Sequence, residues 1–295
     1  QATLPGCDLP TLFADFGTVS TAKYWGGTPR FDSTGDNIFL DPVAQTVEEA
    51  LARRPAAADD PDQDAAFALR LYHQACERLG TEDLWLRTPD FQGTLNTAGM
   101  VMNQEQLFLA MAMEPEAVAV FLEKVNAFLI AYADHLKQET GGRVCGNIWP
   151  YTFLPADLGM SFTEDLMPLL SADMYATFGV PQLERFSRAF GGLHIHCCGQ
   201  WGHQVENLAN ADARILAVEF HHPFTTVKEL APLARETVFV PYYNGDADQG
   251  RFPGLGAFYA HLLETTDASV RYWFAFPEDN EDALAFVAQY GITGG

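Results

Sequence analysis

Leu193-His194-Ile195-His196-Cys197-Cys198-Gly199 is the stretch on which the fold turns. Apolar Leu193, Ile195 and Cys197 alternate with His194, His196 and Cys198, the period of two that a β-strand imposes. The reading is a strand over 193–197 with His194, His196 and Cys198 on one face and Cys197 on the other. Working outward, similar strand-like runs fall at 215–220, 238–242 and 270–276. Helical spacing separates them at 205–209, 227–234, 255–263 and 281–290. Strand and helix alternating at this interval predict an α/β protein with a parallel sheet and right-handed crossovers. No G-x-G-x-x-G follows any of these runs, which disfavours a doubly wound open sheet. The expectation is a single (β/α)8 barrel of the TIM type over 1–295.

The first half reads less regularly. Helices are expected at 64–79, 103–113 and 114–137, the last with Leu122, Val125, Phe128, Leu129 and Tyr132 on one face. Short strands are expected at 83–87 and 144–149. Ser171 caps a helix through 188, kinked at Pro181. The Ala-, Pro- and Asp-rich stretch 53–64 reads as an exposed loop.

Composition narrows the function. The chain has 295 residues, with 39 Asp+Glu against 17 Lys+Arg and a formal charge of -22. Nucleic-acid binding needs clustered Lys and Arg, so it is excluded. With 48% hydrophobic residues the chain folds rather than staying disordered. No apolar run reaches membrane-spanning length, and Gln1 to Gly6 do not read as a signal peptide. Five scattered cysteines are no disulfide framework, so a reducing cytoplasm is expected.

In a barrel, chemistry collects where strands end. Those ends carry Asp90, then Trp149 and Tyr151, then His196 and Cys198, then His221 and His222, and finally Tyr242, Tyr243, Asn244 and Asp246. Imidazole and thiolate together suit zinc, and a catalytic zinc takes three protein ligands and keeps one position open. His196 and Cys198 supply two. The third comes from the next strand end (Glu219, His221 or His222) or from Glu278 near the last. A cysteine at a strand end is as readily a small buried hydrophobe, and His-x-Cys is a short signal.

Several stretches together resemble the uroporphyrinogen decarboxylase superfamily, in particular its cobalamin-dependent methyltransferase-like branch. They are Asp15-Phe16-Gly17 with Trp25-Gly26-Gly27, Met113-Glu114-Pro115-Glu116 before the long helix, Glu164-Asp165, Leu170-Ser171, Pro181-Gln182-Leu183, and the His196-Cys197-Cys198-Gly199 strand end. The resemblance covers roughly 10–290, with a start that looks short for the family, and implies a (β/α)8 barrel. It places the branch's zinc-binding His and Cys on His196 and Cys198. The branch's further thiolate has no counterpart, because no cysteine follows Cys198, leaving His221, His222 or Glu278. The arginine-rich N-terminal segment of the true decarboxylases is also missing.

The resemblance implies a zinc-assisted methyltransferase moving a methyl group between a corrinoid carrier protein and a thiol or other small acceptor. Glu164, Asp165 and Tyr151 are its catalytic candidates. Asp90, Trp149, Tyr242, Tyr243 and Asn244 are its substrate-binding candidates. Two alternatives stand beside it. One is a metal-free lyase of the decarboxylase type, with Asp90, Tyr151 and His196 as acid and base. The other is a non-catalytic barrel that binds a corrinoid or tetrapyrrole.

Overall fold

The structure is a computed structural model in which residues 10–35, 37–146, 159–275 and 281–290 are described. Its strands are β1 (Thr11–Leu12), β2 (Pro29–Phe31), β3 (Ile38–Leu40), β4 (Trp85–Arg87), β5 (Val144–Cys145), β6 (Met160–Thr163), β7 (Leu193–Cys197), β8 (Ile215–His222), β9 (Val238–Tyr243) and β10 (Arg271–Tyr272). A five-stranded parallel sheet runs β10-β9-β8-β7-β6, and a three-stranded parallel sheet runs β1-β4-β5. Strands β2 and β3 form a separate antiparallel hairpin. The α/β class and the parallel pairing expected from the alternation are therefore present.

Two features bring the parallel sheets together. A parallel bridge joins Gln92, just past β4, to Thr163 at the end of β6. At the next strand over, a Cβ on Gly146 would meet the Cβ of Ser161 at 2.8 Å, so only glycine permits that approach. Among the described residues no ladder closes the two sheets into a ring.

The long helix Pro115–Glu139 shows why the outer layer forms. Proline sits in its first turn, Glu116 favours its N-terminus and Lys137 its C-terminus. Its buried residues include Phe121, Leu122, Val125, Phe128, Leu129, Tyr132 and Leu136, the apolar stripe of the sequence. Each such side chain contributes roughly 1.5–3 kcal/mol by leaving water.

Three expectations change. The helix expected from Ser171 through 188 is two helices, Ala172–Phe178 and Val180–Phe190. The break lies at Gly179, and Pro181 sits in the first turn of the second helix, where its missing N–H costs nothing. The helix expected over 227–234 is reduced to a 3-10 turn at Ala231–Leu233 around Pro232, which cannot supply a helical N–H. Among the described residues, the strand expected over 270–276 pairs at Arg271 and Tyr272, with one further bond from Trp273 N to Phe239 O. Beyond it Phe274 turns into an aromatic cluster with Tyr259, Tyr272 and Phe286.

Candidate metal and catalytic site

The site is built at the C-terminal ends of β6, β7 and β8. Register places His196 of β7 opposite Thr163 of β6 and Glu219 of β8. Side chains two apart on a strand share a face, so His194 and His196 point inward together, as do Glu219 and His221. Cys197 points the other way into the main core, with no exposed surface. Cys198 lies one residue past β7 and is exposed. The face assignment read from the sequence is observed.

His196 Nδ1 contacts the Glu219 carboxylate in a short hydrogen bond. The other oxygen of Glu219 lies 3.2 Å from His221 Nε2, so one carboxylate serves two imidazoles. Its side chain is 2% exposed. Across the ring, His196 Nε2 faces Asp165 Oδ1 at 3.9 Å. Asp165 Oδ1 also accepts from Cys198 N at 3.2 Å and from Cys198 Sγ at 3.4 Å. Two donor groups result: Asp165, His196 and Cys198 form one, and His196, Glu219 and His221 the other, each with its ligand atoms within 4.8 Å of one another. His196 belongs to both, through different nitrogens.

Burial sets the protonation states. It pushes His196 down to about 4, opposed by the Asp165 carboxylate. Burial likewise lowers His221. His194, one pleat below, is driven to about 3, and its Nδ1 pairs with Ser161 Oγ at 2.8 Å. Burial and then Asp165 raise the Cys198 thiol to about 11. Glu164 is enclosed completely, and burial followed by the neighbouring Asp165 charge raises it to about 8. Its carboxyl therefore keeps its proton at neutral pH.

The remaining expected residues separate into groups. Tyr242 joins the site, its ring 4.4 Å from that of His221. His222 does not join it. Its side chain lies on the opposite face of β8, 5.0 Å from the Phe258 ring and 3.6 Å from Asp248. Tyr243 follows it, stacked on Phe258 and accepting from Phe252 N. Asn244 shapes its own turn by accepting from Ala247 N. Asp90 is buried and accepts from Gln92, which in turn accepts from Asn96 Nδ2 at 2.6 Å. Asn96 Oδ1 then takes the N–H of Leu166, tying this chain to the Glu164-Asp165 segment. Trp149, Tyr151 and Glu278 lie outside the described residues.

The loop after β7 is fastened from below. Trp201, 1% exposed, donates its indole N–H to Cys197 O and its backbone N–H to Thr225 Oγ1. Thr225 Oγ1 donates to Gly199 O. Cys198 thus projects from a loop with little freedom. The Gln92–Asn96 pair escaped the sequence reading, although polar residues four apart at a helix start facing a strand end are a usable signal. Thr225 left no such mark.

No family model matches the chain, and no curated protein does. Among solved structures, a methyltransferase from Methanosarcina mazei aligns with a TM-score of 0.65 at 13% identity, covering 95% of this chain and 79% of that one. Likeness at that identity is likeness of backbone: this chain shares the fold of that methyltransferase.

Proposed function

We propose that this protein is a zinc-assisted methyltransferase that moves a methyl group between a corrinoid carrier protein and a thiol or other small acceptor. The carrying observation is Glu219. It is a buried carboxyl group that meets two imidazoles whose pKa values burial lowers, and among the described residues no Arg or Lys pairs with it. A buried anion without a counter-charge is costly, and a cation bound through its histidine partner removes that cost. The donor set fits zinc: nitrogen from His196 Nε2, sulfur from Cys198 and oxygen from Asp165. Zinc, when bound, supplies a thiolate at neutral pH by lowering the pKa of a coordinated thiol.

In this reading Glu219 accepts from His196 Nδ1 and fixes the tautomer that leaves Nε2 free to ligate. Asp165 and Cys198 share a proton that must leave for both to act as ligands. Glu164, next to Asp165 in the chain, keeps its proton at neutral pH and so adds no further charge beside the donor set. Methyl transfer forms a carbon–sulfur bond from the thiolate lone pair, and the electron pair of the old bond stays on the carrier. The two parallel sheets, bridged at Gln92 and Thr163, are proposed to be arcs of one (β/α)8 barrel domain with this site at its mouth. The methyltransferase neighbour supports the same class of reaction.

Metal analysis by mass spectrometry on untagged protein purified without chelator tests the reading. About one zinc per chain is expected, as for a single catalytic site. No metal after zinc is offered would overturn it in favour of the metal-free lyase or the non-catalytic barrel.

A further inference from the structure

The five-stranded sheet carries a cavity on the face turned away from the metal site. Tyr272 of β10 lies beside Phe239 of β9, Phe239 beside Val218 of β8, and Val218 beside Ile195 of β7. Neighbours in register on a parallel sheet share a face, so Tyr272 points the way of Ile195 and opposite to His194 and His196. Against that face lies a cavity of about 520 Å³, lined among the described residues by Leu263, Glu264, Val270, Tyr272, Phe274 and Tyr290. Its rings are held in place. Tyr272 and Phe274 stack at 4.9 Å with planes 13° apart, and Phe286 stands edge-on to Phe274 at 5.5 Å. The Tyr272 hydroxyl donates to Thr266 Oγ1 at 3.0 Å, and the Tyr290 hydroxyl donates to Glu264 Oε1 at 3.3 Å. Glu264 lies in the last turn of the helix Leu255–Thr265, and Tyr290 ends the helix Glu281–Tyr290. Both helices therefore bring their C-terminal ends to the cavity, and neither has a basic residue in its last turn.

We propose that this cavity binds an organic ammonium cation, its alkylated head seated against the Tyr272 and Tyr290 rings beside the Glu264 carboxylate. Three features of separate origin agree on the sign of the charge. Aromatic faces attract a cation through their quadrupole. The ends of two helices present partial negative charge, with no Lys or Arg in either last turn to offset it. Glu264 adds a carboxylate that, among the described residues, is in no salt bridge. Arg271 stands next to Tyr272 in the strand, but alternation turns it to the other face, where it donates to Arg235 O. An anion is therefore repelled. An inorganic cation leaves the walls of Leu263, Val270 and the rings uncovered, whereas an alkylammonium buries its carbons on them and keeps its charge by the acid. The site is an accessory one that shares no residue with the metal site. The proposal stands whether or not zinc binds at His196 and Cys198.

The experiment titrates choline and its neutral isostere 3,3-dimethylbutan-1-ol against the full chain by ligand-observed NMR. The two probes differ by nitrogen for carbon at one atom, so shape is held constant while charge changes. Choline is expected to bind at least about fivefold more tightly than the isostere. Glu264→Gln, a change at an exposed position, should weaken choline by at least about threefold and leave the isostere unchanged. Tyr290→Leu should weaken choline more than the isostere. His196→Ala should leave choline binding as it is. Equal affinity for the two probes would overturn the proposal, because the cavity would then be selecting shape alone. An absence of choline binding up to about 10 mM would overturn it as well. So would choline binding that is lost in His196→Ala and kept in Glu264→Gln, since the cation would then sit at the metal site.

Discussion

Glu164 and Glu219 are both buried carboxyls at the same end of the sheet, yet burial acts on them differently. Glu219 meets two imidazoles, whereas Glu164 has one oxygen without a partner and is held protonated. The contrast gives a pH test with a definite sign. Between its ordinary value of 4.5 and about 8, folded Glu164 retains a proton that the unfolded chain releases, so folding stability falls as pH rises. His196 works in the opposite sense, because the unfolded chain gains a proton below 6.5 that the folded chain refuses until about 4. Subtracting Glu164→Gln from wild type between pH 6.5 and 8 cancels the histidines and isolates Glu164. In metal-free protein, wild type should lose up to about 1.4 kcal/mol per pH unit relative to Glu164→Gln there, read from urea midpoints. Parallel slopes would mean that Glu164 is already ionised. A second residue-scale expectation concerns the ligands: Cys198→Ser and His196→Ala should each lose bound zinc, and Cys197→Ser should keep it. Equal loss in all three would contradict the strand register. His196 and Cys198 were legible because alternation within one strand fixes their shared face. Glu219 was only one candidate among several for the third ligand, since its pairing with His196 depends on inter-strand register.

The elements show where glycine and caps decide local shape. Gly93 opens the helix Thr94–Met102, and a Cβ there would strike the Glu164 carboxylate and meet Thr163 O at 2.9 Å. The neighbour that would have to move is a backbone carbonyl already accepting from Gly93 N. Gly93→Ala is expected to cost about 1–3 kcal/mol and to weaken zinc retention by displacing the Glu164-Asp165 segment. Thermal unfolding and metal content measure the two effects. Ser171 is a simpler case. Its hydroxyl accepts from Met174 N at the head of Ala172–Phe178, so Ser171→Ala should lower stability by about 1 kcal/mol without touching metal content. The cap was visible in the sequence because Ser before an apolar run is a local signal. The helix break at Gly179 was not, because Pro181 is the louder residue. The tight packing of Gly179 against the Tyr175 ring appears only in three dimensions.

At the scale of the whole molecule the net charge of -22 makes self-repulsion a global term. Raising salt from about 0.01 M to about 0.15 M shortens the screening length from about 30 to about 8 Å, so the unfolding midpoint should rise. A flat or falling midpoint in chemical denaturation would show that local ion pairs outweigh the repulsion. Alternation in the second half made four strands of the five-stranded parallel sheet readable, whereas β6 (Met160–Thr163) was not expected from the sequence. In the first half β4 and β5 fall within the runs expected at 83–87 and 144–149, whereas β1 is two residues long, too short for periodicity to register. The indole beneath the Cys198 loop has one further consequence. Trp201 is wired by hydrogen bonds to the backbone on which the cysteine stands, so the protein carries its own optical gauge of that loop. The difference in emission between wild type and Trp201→Phe would report occupancy at the neighbouring thiol in real time, with no dye attached.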